Sequence, residues 1–533
     1  MQKKSSITRV SLFDNRTQTP VSRQKVNFIL WATCLITAIT TGCNNMNDYS
    51  VSPNHLLTFS TDTLSFDTVF TTIGSTTSYF MIYNKNGEAL NINKILLAGG
   101  KESNFRINVD GRKGDLFSDI PVWKKDSLYV MVEVTVDPND KNTPFVIYDS
   151  VVFITNGIVQ SVLLEAYGQN AHILKGGNTF TGDTTLSADK PYLVYDSIMI
   201  PEGVTVSIEE GASFYMHNKA KWLIDGTLKS NGTQEKPVTF RGDRLNHFSS
   251  LISYDNIPAQ WDGLFFGASS FDNELHFTLI RNGISGLTFA KSTPDRKKMT
   301  ISNSQIKNMD GNVLWSANCY IEASGTEFSN ASKYLVILYG GKYRFSHCTM
   351  ANYMPAGLIS NNIGRFDKCL TLSDSIPDKE DADNTVHIFP LQQACFDNCI
   401  IDGDMSADTT ELYGGEISFP TGEKYINGHD EQFNYRFNHC VVKTGKTDNE
   451  RFIDVLFAES PIYIKSSRQN KDNQYDYVFD FRLDEKSAGI GKADRSVSEQ
   501  YPVDRFGINR LTSEHGPSIG AYEYVPQKKD NEK

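Results

Sequence analysis

No stretch of this 533-residue chain is long and apolar enough to cross a bilayer comfortably. The best candidate, Val26 to Ile39, is interrupted by Asn27 and several threonines, whereas a spanning helix needs about 20 apolar residues. An excess of base is also missing: 52 Lys and Arg face 63 Asp and Glu, a formal charge of −11. Residues 1–43 hold six of the basic groups and one acidic group, so the remainder stands at −16. An acidic surface repels phosphate backbones, which disfavours nucleic acid as a partner. It disfavours a large polyanion too, unless a local basic patch overrides the mean field.

Cysteine is sparse, with eight in all. Cys34 and Cys43 lie near the start; the others are Cys319, Cys348, Cys369, Cys395, Cys399 and Cys440. Cys395 and Cys399 have no second pair at ligand spacing, which argues against zinc. An exported protein could oxidise these thiols. Four of the six, however, sit where an internal ladder is expected, so reduced thiols packed as small hydrophobes are the preferred reading over a disulfide framework.

What is present is a repeat. Phe345-Ser-His-Cys348-Thr-Met350, Phe366-Asp-Lys-Cys369-Leu-Thr371, Phe396-Asp-Asn-Cys399-Ile-Ile401 and Phe437-Asn-His-Cys440-Val-Val442 share one frame, and Ile301-Ser-Asn-Ser304-Gln-Ile306 fits it with Ser for Cys. A recurrence of about 20 to 25 residues with insertions signals a solenoid. The β-branched and aromatic content, broken by Asn, Asp and Gly, suits strands and turns. Side chains three apart in a straight strand face opposite ways. Phe and Cys both point inward only if the polar pair between them forms a corner.

These units, with Trp261-Asp-Gly-Leu-Phe-Phe266 and Leu275-His-Phe-Thr-Leu-Ile-Arg-Asn-Gly283, resemble the right-handed parallel β-helix proteins of the pectate-lyase-like superfamily. The resemblance spans 171–485 and implies an all-β solenoid. It implies no single activity, because lyases, hydrolases, esterases and binders share this architecture.

Residues 1–43 read as an export signal, ending in Thr40-Thr41-Gly42-Cys43, which resembles a bacterial lipobox. That resemblance makes Cys43 the lipid-modified first residue of the mature protein, anchored to a membrane. Residues 44–54 form a polar tether. Residues 55–170 hold seven or eight short alternating strands, which suggests an immunoglobulin-like β-sandwich. This sandwich resembles those next to the anchors of exported Bacteroidota proteins. The solenoid follows at 171–485, with 171–185 as its expected cap. Residues 486–526 resemble a C-terminal segment that caps the last coil, and 527–533 form a charged tail expected to be disordered.

Chemistry is less legible. The motif sets of polygalacturonase-like and pectin-esterase-like sites are absent, and Gly428-His-Asp430 is only superficially similar to one. His347 and His439 read as corner residues. Arg241, Asp243, Arg244 and Arg281 are the best remaining polar groups, able to line a ligand groove if their coils are adjacent. Tyr334, Tyr339 and Tyr343 offer a sugar platform or, preferably, strand packing. Asp378, Glu380, Asp381 and Asp383 read as a solvated loop, with calcium as the sharper alternative; no other cofactor is implied. Asp followed by Ser or Thr resembles an O-glycan acceptor of exported Bacteroidota proteins, at Thr63, Thr68, Ser127, Ser150, Thr184, Ser197, Ser375 and Thr409. The expectation is a lipid-anchored outer-membrane protein of the cell envelope, a non-catalytic β-helix that binds glycan or an envelope protein. The alternative is a polysaccharide lyase or glycoside hydrolase acting on acidic polysaccharide.

Overall fold

The computed structural model describes residues 49–71, 73–138, 142–354, 367–377, 386–407, 415–420, 432–445, 450–457 and 459–526. Cys43, Thr409, Phe366, His429, the four carboxylates between 378 and 383 and the tail 527–533 lie outside them.

The N-terminal part is a sandwich of two five-stranded sheets. One has Thr58–Phe59, Ser78–Tyr83, Ser127–Val134, Phe105–Val109 and Arg112–Gly114 side by side. The other orders Thr63–Phe70, Ile158–Gln169, Phe145–Thr155, Leu90–Leu97 and Leu116–Val122. Alternation dictates this arrangement: Phe80 and Ile82 on one sheet and Ile92, Ile95 and Phe153 on the other are buried. The Phe153 ring meets Phe59 at 4.9 Å and Phe80 edge-on at 6.1 Å across the core. The division between the molecule's two compact units runs through Thr63–Phe70, Ser127–Val134, Phe145–Thr155 and Ile158–Gln169.

From His172 onward the strands of the coils pair in parallel, one coil upon the next, and Ser375–Pro377 with Val386–Ile388 forms an antiparallel pair outside them. Each complete coil has three sides. The first is a ten-stranded parallel sheet from Thr184–Leu186 to Phe452–Ile453. The second and third alternate in one continuous network from His172–Leu174 to Leu456–Phe457. Residues 171–185 thus build the first coil's own strands and are not a separate cap. Coiling stops at Phe457, short of the expected residue 485.

The corner inferred between Phe and Cys is present. Phe277, Asn303, Gly325, His347, Asn398 and His439 all turn it with φ between 43° and 56°. Asn and Gly tolerate that left-handed conformation best. Just past it, Cys348, Cys399 and Cys440 stack inside, continuing a row of buried Thr278, Ser304 and Thr326. Thr278 N donates to Ser304 Oγ at 3.0 Å. Ser304 therefore holds the cysteine position, as the frame implied.

Cys369 does not belong to that row. It heads Leu370–Ser373 on the third side, beside Val336–Tyr339, and its Sγ donates to Asp402 O at 3.0 Å. The chain spacing misassigned it because every side of a coil needs small apolar residues at its corners. All six solenoid cysteines are free thiols, and only Cys395 among them keeps some solvent exposure.

Tyr463–Lys465 pairs antiparallel with Asp480–Leu483, and the chain then folds back along the outside of the second side. There Ile519, Ala521 and Tyr522 pack on Ala351, Ile400 and Val441. This flank is apolar at those coils and has to be covered.

Candidate functional site

On the second side of the coils, Phe214, Phe240, Ile280, Ile306, Phe328, Met350 and Ile401 point inward and are buried. Strand alternation therefore sends their C-terminal neighbours outward. In register these are Tyr215, Arg241, Arg281, Lys307, Ser329, Ala351 and Asp402. One outward row thus begins with a tyrosine, runs through three consecutive cations and two small residues and ends in a carboxylate.

At the cationic end an insertion folds over the row. Its short turn Tyr254–Asn256 is pinned by corner asparagines: Asn282 Nδ2 donates to Asp255 O at 2.8 Å and to Ile257 O at 3.0 Å. Asn308 Nδ2 adds a 3.4 Å bond to Asp255 O. This places the Asp255 carboxylate against Arg241 and 3.5 Å from Arg281. Arg241 also donates to Arg244 O at 3.0 Å, and the Arg244 guanidinium lies 3.7 Å from the Tyr254 ring centre.

The charges here do not balance. Asp255 serves two guanidinium groups, and Lys307 makes no ion pair or hydrogen bond among the described residues. Arg281 Nε is buried without an acceptor. Burial pushes the Lys307 ammonium below the usual lysine range; Glu327 pulls it back up, while Arg281 and Arg505 push it further down. Burial likewise lowers Arg281, opposed by Asp255, although a guanidinium stays charged at any working pH. Two neighbouring cations with incomplete counter-charge, in a partly desolvated setting, favour an anion.

The small residues of the row admit the returning C-terminal segment. Tyr522 hydroxyl donates to Glu327, whose other oxygen accepts from Ser329 Oγ at 2.5 Å. Ala521 N donates to Thr349 Oγ1 at 2.9 Å. Behind them Arg510 and Glu523 are fully buried 3.9 Å apart.

At the far end Asp402 accepts from the Tyr353 hydroxyl and lies 3.9 Å from Lys443 Nζ. Burial raises the pKa of this carboxyl, opposed by Tyr353 and Lys443. Nearby Glu416 is buried and accepts from Met405 N at 3.0 Å and from Cys369 N at 3.3 Å. These two carboxylates hold backbone and a phenol, as structural carboxylates do.

Of the four groove residues read from the sequence, Arg241 and Arg281 come together as neighbours on adjacent coils. Asp243 turns away to His217 Nδ1 at 2.6 Å, and Arg244 stacks on the insertion. Lys307 and Asp255 were missed. Lys307 follows Arg281 by one coil, so the strand register reveals it once known; nothing local in the sequence marks Asp255. His347 is buried at its corner, with Nε2 3.0 Å from Ser498 Oγ and from Asn398 Nδ2. Tyr343 packs inside with its hydroxyl 3.0 Å from Ser316 Oγ, and Tyr339 tilts on Trp315. Thr63, Thr68, Ser127, Ser150, Thr184, Ser197 and Ser375 are each half-buried. Among the described residues no group of three His, Cys, Asp or Glu is placed to hold a metal ion, and no helix is long and apolar enough to cross a membrane.

No family model matches the chain, and no curated protein does. Among solved structures, a family 123 glycoside hydrolase from Clostridium perfringens matches at 8% identity over 21% of this chain and 26% of its own, with a TM-score of 0.16. The catalytic unit of a GH87 α-1,3-glucanase from Streptomyces thermodiastaticus matches at 10% identity over 72% and 89%, with a TM-score of 0.25. The PapD-like domain of human CEP192 matches at 10% over 24% and 95%, with a TM-score of 0.16. These scores carry no argument; the fold stands on the strand registers above.

Proposed function

We propose that the protein is a lipid-anchored component of the cell envelope whose β-helix holds an acidic glycan at Arg281 and Lys307 without chemically altering it. The observation behind this reading is the local excess of cation on an acidic chain: Arg241, Arg281 and Lys307 in register against the carboxylates of Asp255 and the buried Glu327. A sugar carboxylate or sulfate supplies counter-charge for Lys307 and for the exposed part of the Arg281 guanidinium. The anchor is the lipobox-like Cys43. Electrophoresis through gels containing polygalacturonate, alginate or chondroitin sulfate tests the glycan half. Retardation of the native protein that Arg281→Ala with Lys307→Ala abolishes supports it; equal mobility in all three gels rejects it. Incorporation of labelled fatty acid that Cys43→Ser removes tests the anchor.

A second reading, a polysaccharide lyase, draws on the depressed Lys307. An amine that loses its proton more readily than an ordinary lysine, beside a guanidinium that neutralises a uronate carboxylate, can accept the α-proton once deprotonated. Unsaturated product formed from those three polymers would favour it. The buried Asp402 and Glu416, engaged in internal hydrogen bonds, give less support to a hydrolase, which needs two free carboxylates flanking a bond.

A further inference from the structure

On the sandwich, Tyr148 and Tyr167 stand on adjacent strands with 61% and 40% of their surfaces exposed. Both phenols are directed at one carboxylate, Glu165. Tyr167 hydroxyl donates to it at 3.2 Å, and Ser65 Oγ, on the next strand, donates at 3.1 Å. Tyr148 shares the same carboxylate. Val146, also exposed, extends the apolar surface beside them. Glu165 forms no ion pair among the described residues, and neither ring packs on another aromatic or under a cation there.

We propose that Tyr148, Glu165 and Tyr167 form a binding platform for a neutral saccharide. The chemistry is that of a polyol with apolar C–H faces. Tyrosine rings give large apolar contact at low entropic cost, and a carboxylate with free lone pairs accepts hydroxyl donors. The orientation argues against a cation as the occupant. A cation cage sets ring faces around the charge, whereas here the phenol oxygens point at the carboxylate and the ring faces remain free. An anionic sugar is disfavoured by Glu165 itself. The platform is therefore complementary in charge to the Arg281 and Lys307 site, and it does not depend on that site binding anything.

Affinity electrophoresis of the whole protein through gels of laminarin, soluble starch, hydroxyethyl cellulose and arabinoxylan tests the proposal. Retardation by at least one polymer is expected, with affinity reduced about tenfold or more in Tyr148→Ala with Tyr167→Ala. It should be largely retained in Glu165→Gln, which keeps an acceptor, and unchanged in Arg281→Ala with Lys307→Ala. No retardation in any gel overturns the proposal. So does retardation that the double tyrosine variant leaves intact. Binding of tetramethylammonium that Glu165→Gln abolishes, without polymer binding, would identify a cation site and overturn it equally. Unchanged circular dichroism in the variants, whose substitutions are at exposed positions, separates lost binding from lost fold.

Discussion

The rings of Phe345 and Phe396, on consecutive first-side strands, stack 5.3 Å apart with 11° between their planes, although a whole coil and its insertions separate them in the chain. Phe437 and Phe452 continue the stack at 4.8 and 4.9 Å. The ring ladder is kept across the insertions, while the strand register shifts upstream of it, at Gly341–Lys342 and between Leu391 and Ala394. Replacing the central ring, Phe396→Ala, opens a cavity between two aromatic neighbours and should cost about 3–5 kcal/mol. Denaturant unfolding followed by tyrosine and tryptophan fluorescence measures it. A loss under about 1 kcal/mol would contradict the stack as a main support of these coils.

The thiols should differ sharply in reactivity. Cys399 is fully buried between Cys348 and Cys440, and burial pushes its pKa well above the usual thiol range. Only a thiolate reacts, so the buried row should be inert. Thiol titration of the folded mature protein should show one accessible group, removed by Cys395→Ser, with five more appearing on denaturation.

The Asp255 carboxylate competes with any bound anion for Arg281. Asp255→Asn keeps the turn's backbone bonds to Asn282 and removes one negative charge. Affinity for acidic polysaccharide should rise by about fivefold, close to 1 kcal/mol. A fall would mean that Asp255 positions the guanidinium groups more than it competes with the ligand.

Binding of an anion needs Lys307 protonated, and the folded-state pKa of Lys307 is lowered. Affinity should therefore be flat at lower pH and fall as pH rises through that depressed value, before ordinary lysines titrate near 10.4. The sign for folding is opposite. Between the depressed and the unfolded pKa the unfolded chain binds more protons, so this group's contribution to stability rises with pH. Lys307→Arg should hold its affinity to higher pH, measured by binding isotherms across a pH series.

Gly520 lies where the returning segment meets the coils. With φ of +102°, a Cβ there would sit 2.7 Å from Ile400 Cδ1 and 2.9 Å from Thr349 Oγ1. Gly520→Ala should detach the segment and expose it to limited proteolysis at unchanged coil content by circular dichroism. Tyr522→Phe, which strips one donor from the buried Glu327, should cost about 1–3 kcal/mol.

The amino-acid sequence by itself determined the coil. Phe, two polar residues and Cys state a local geometric demand, a left-handed corner between two inward side chains, and His347, Asn398 and His439 meet it at three of the four copies. The same local logic explains the slip at Cys369: a corner needs a small apolar residue on any side, and spacing alone does not say which. Arg241 and Arg281 were visible as polar residues in strands. Only tertiary structure decided that Lys307 joins them, that Asp255 is held over them and that Asp243 is not. Coil stacking converts chain positions a whole turn apart into neighbours about 4.8 Å apart, and insertions of unequal length hide that adjacency from any fixed spacing. The path of 463–526 was likewise decided in three dimensions, because the surface that segment covers is assembled from strands of several separate coils.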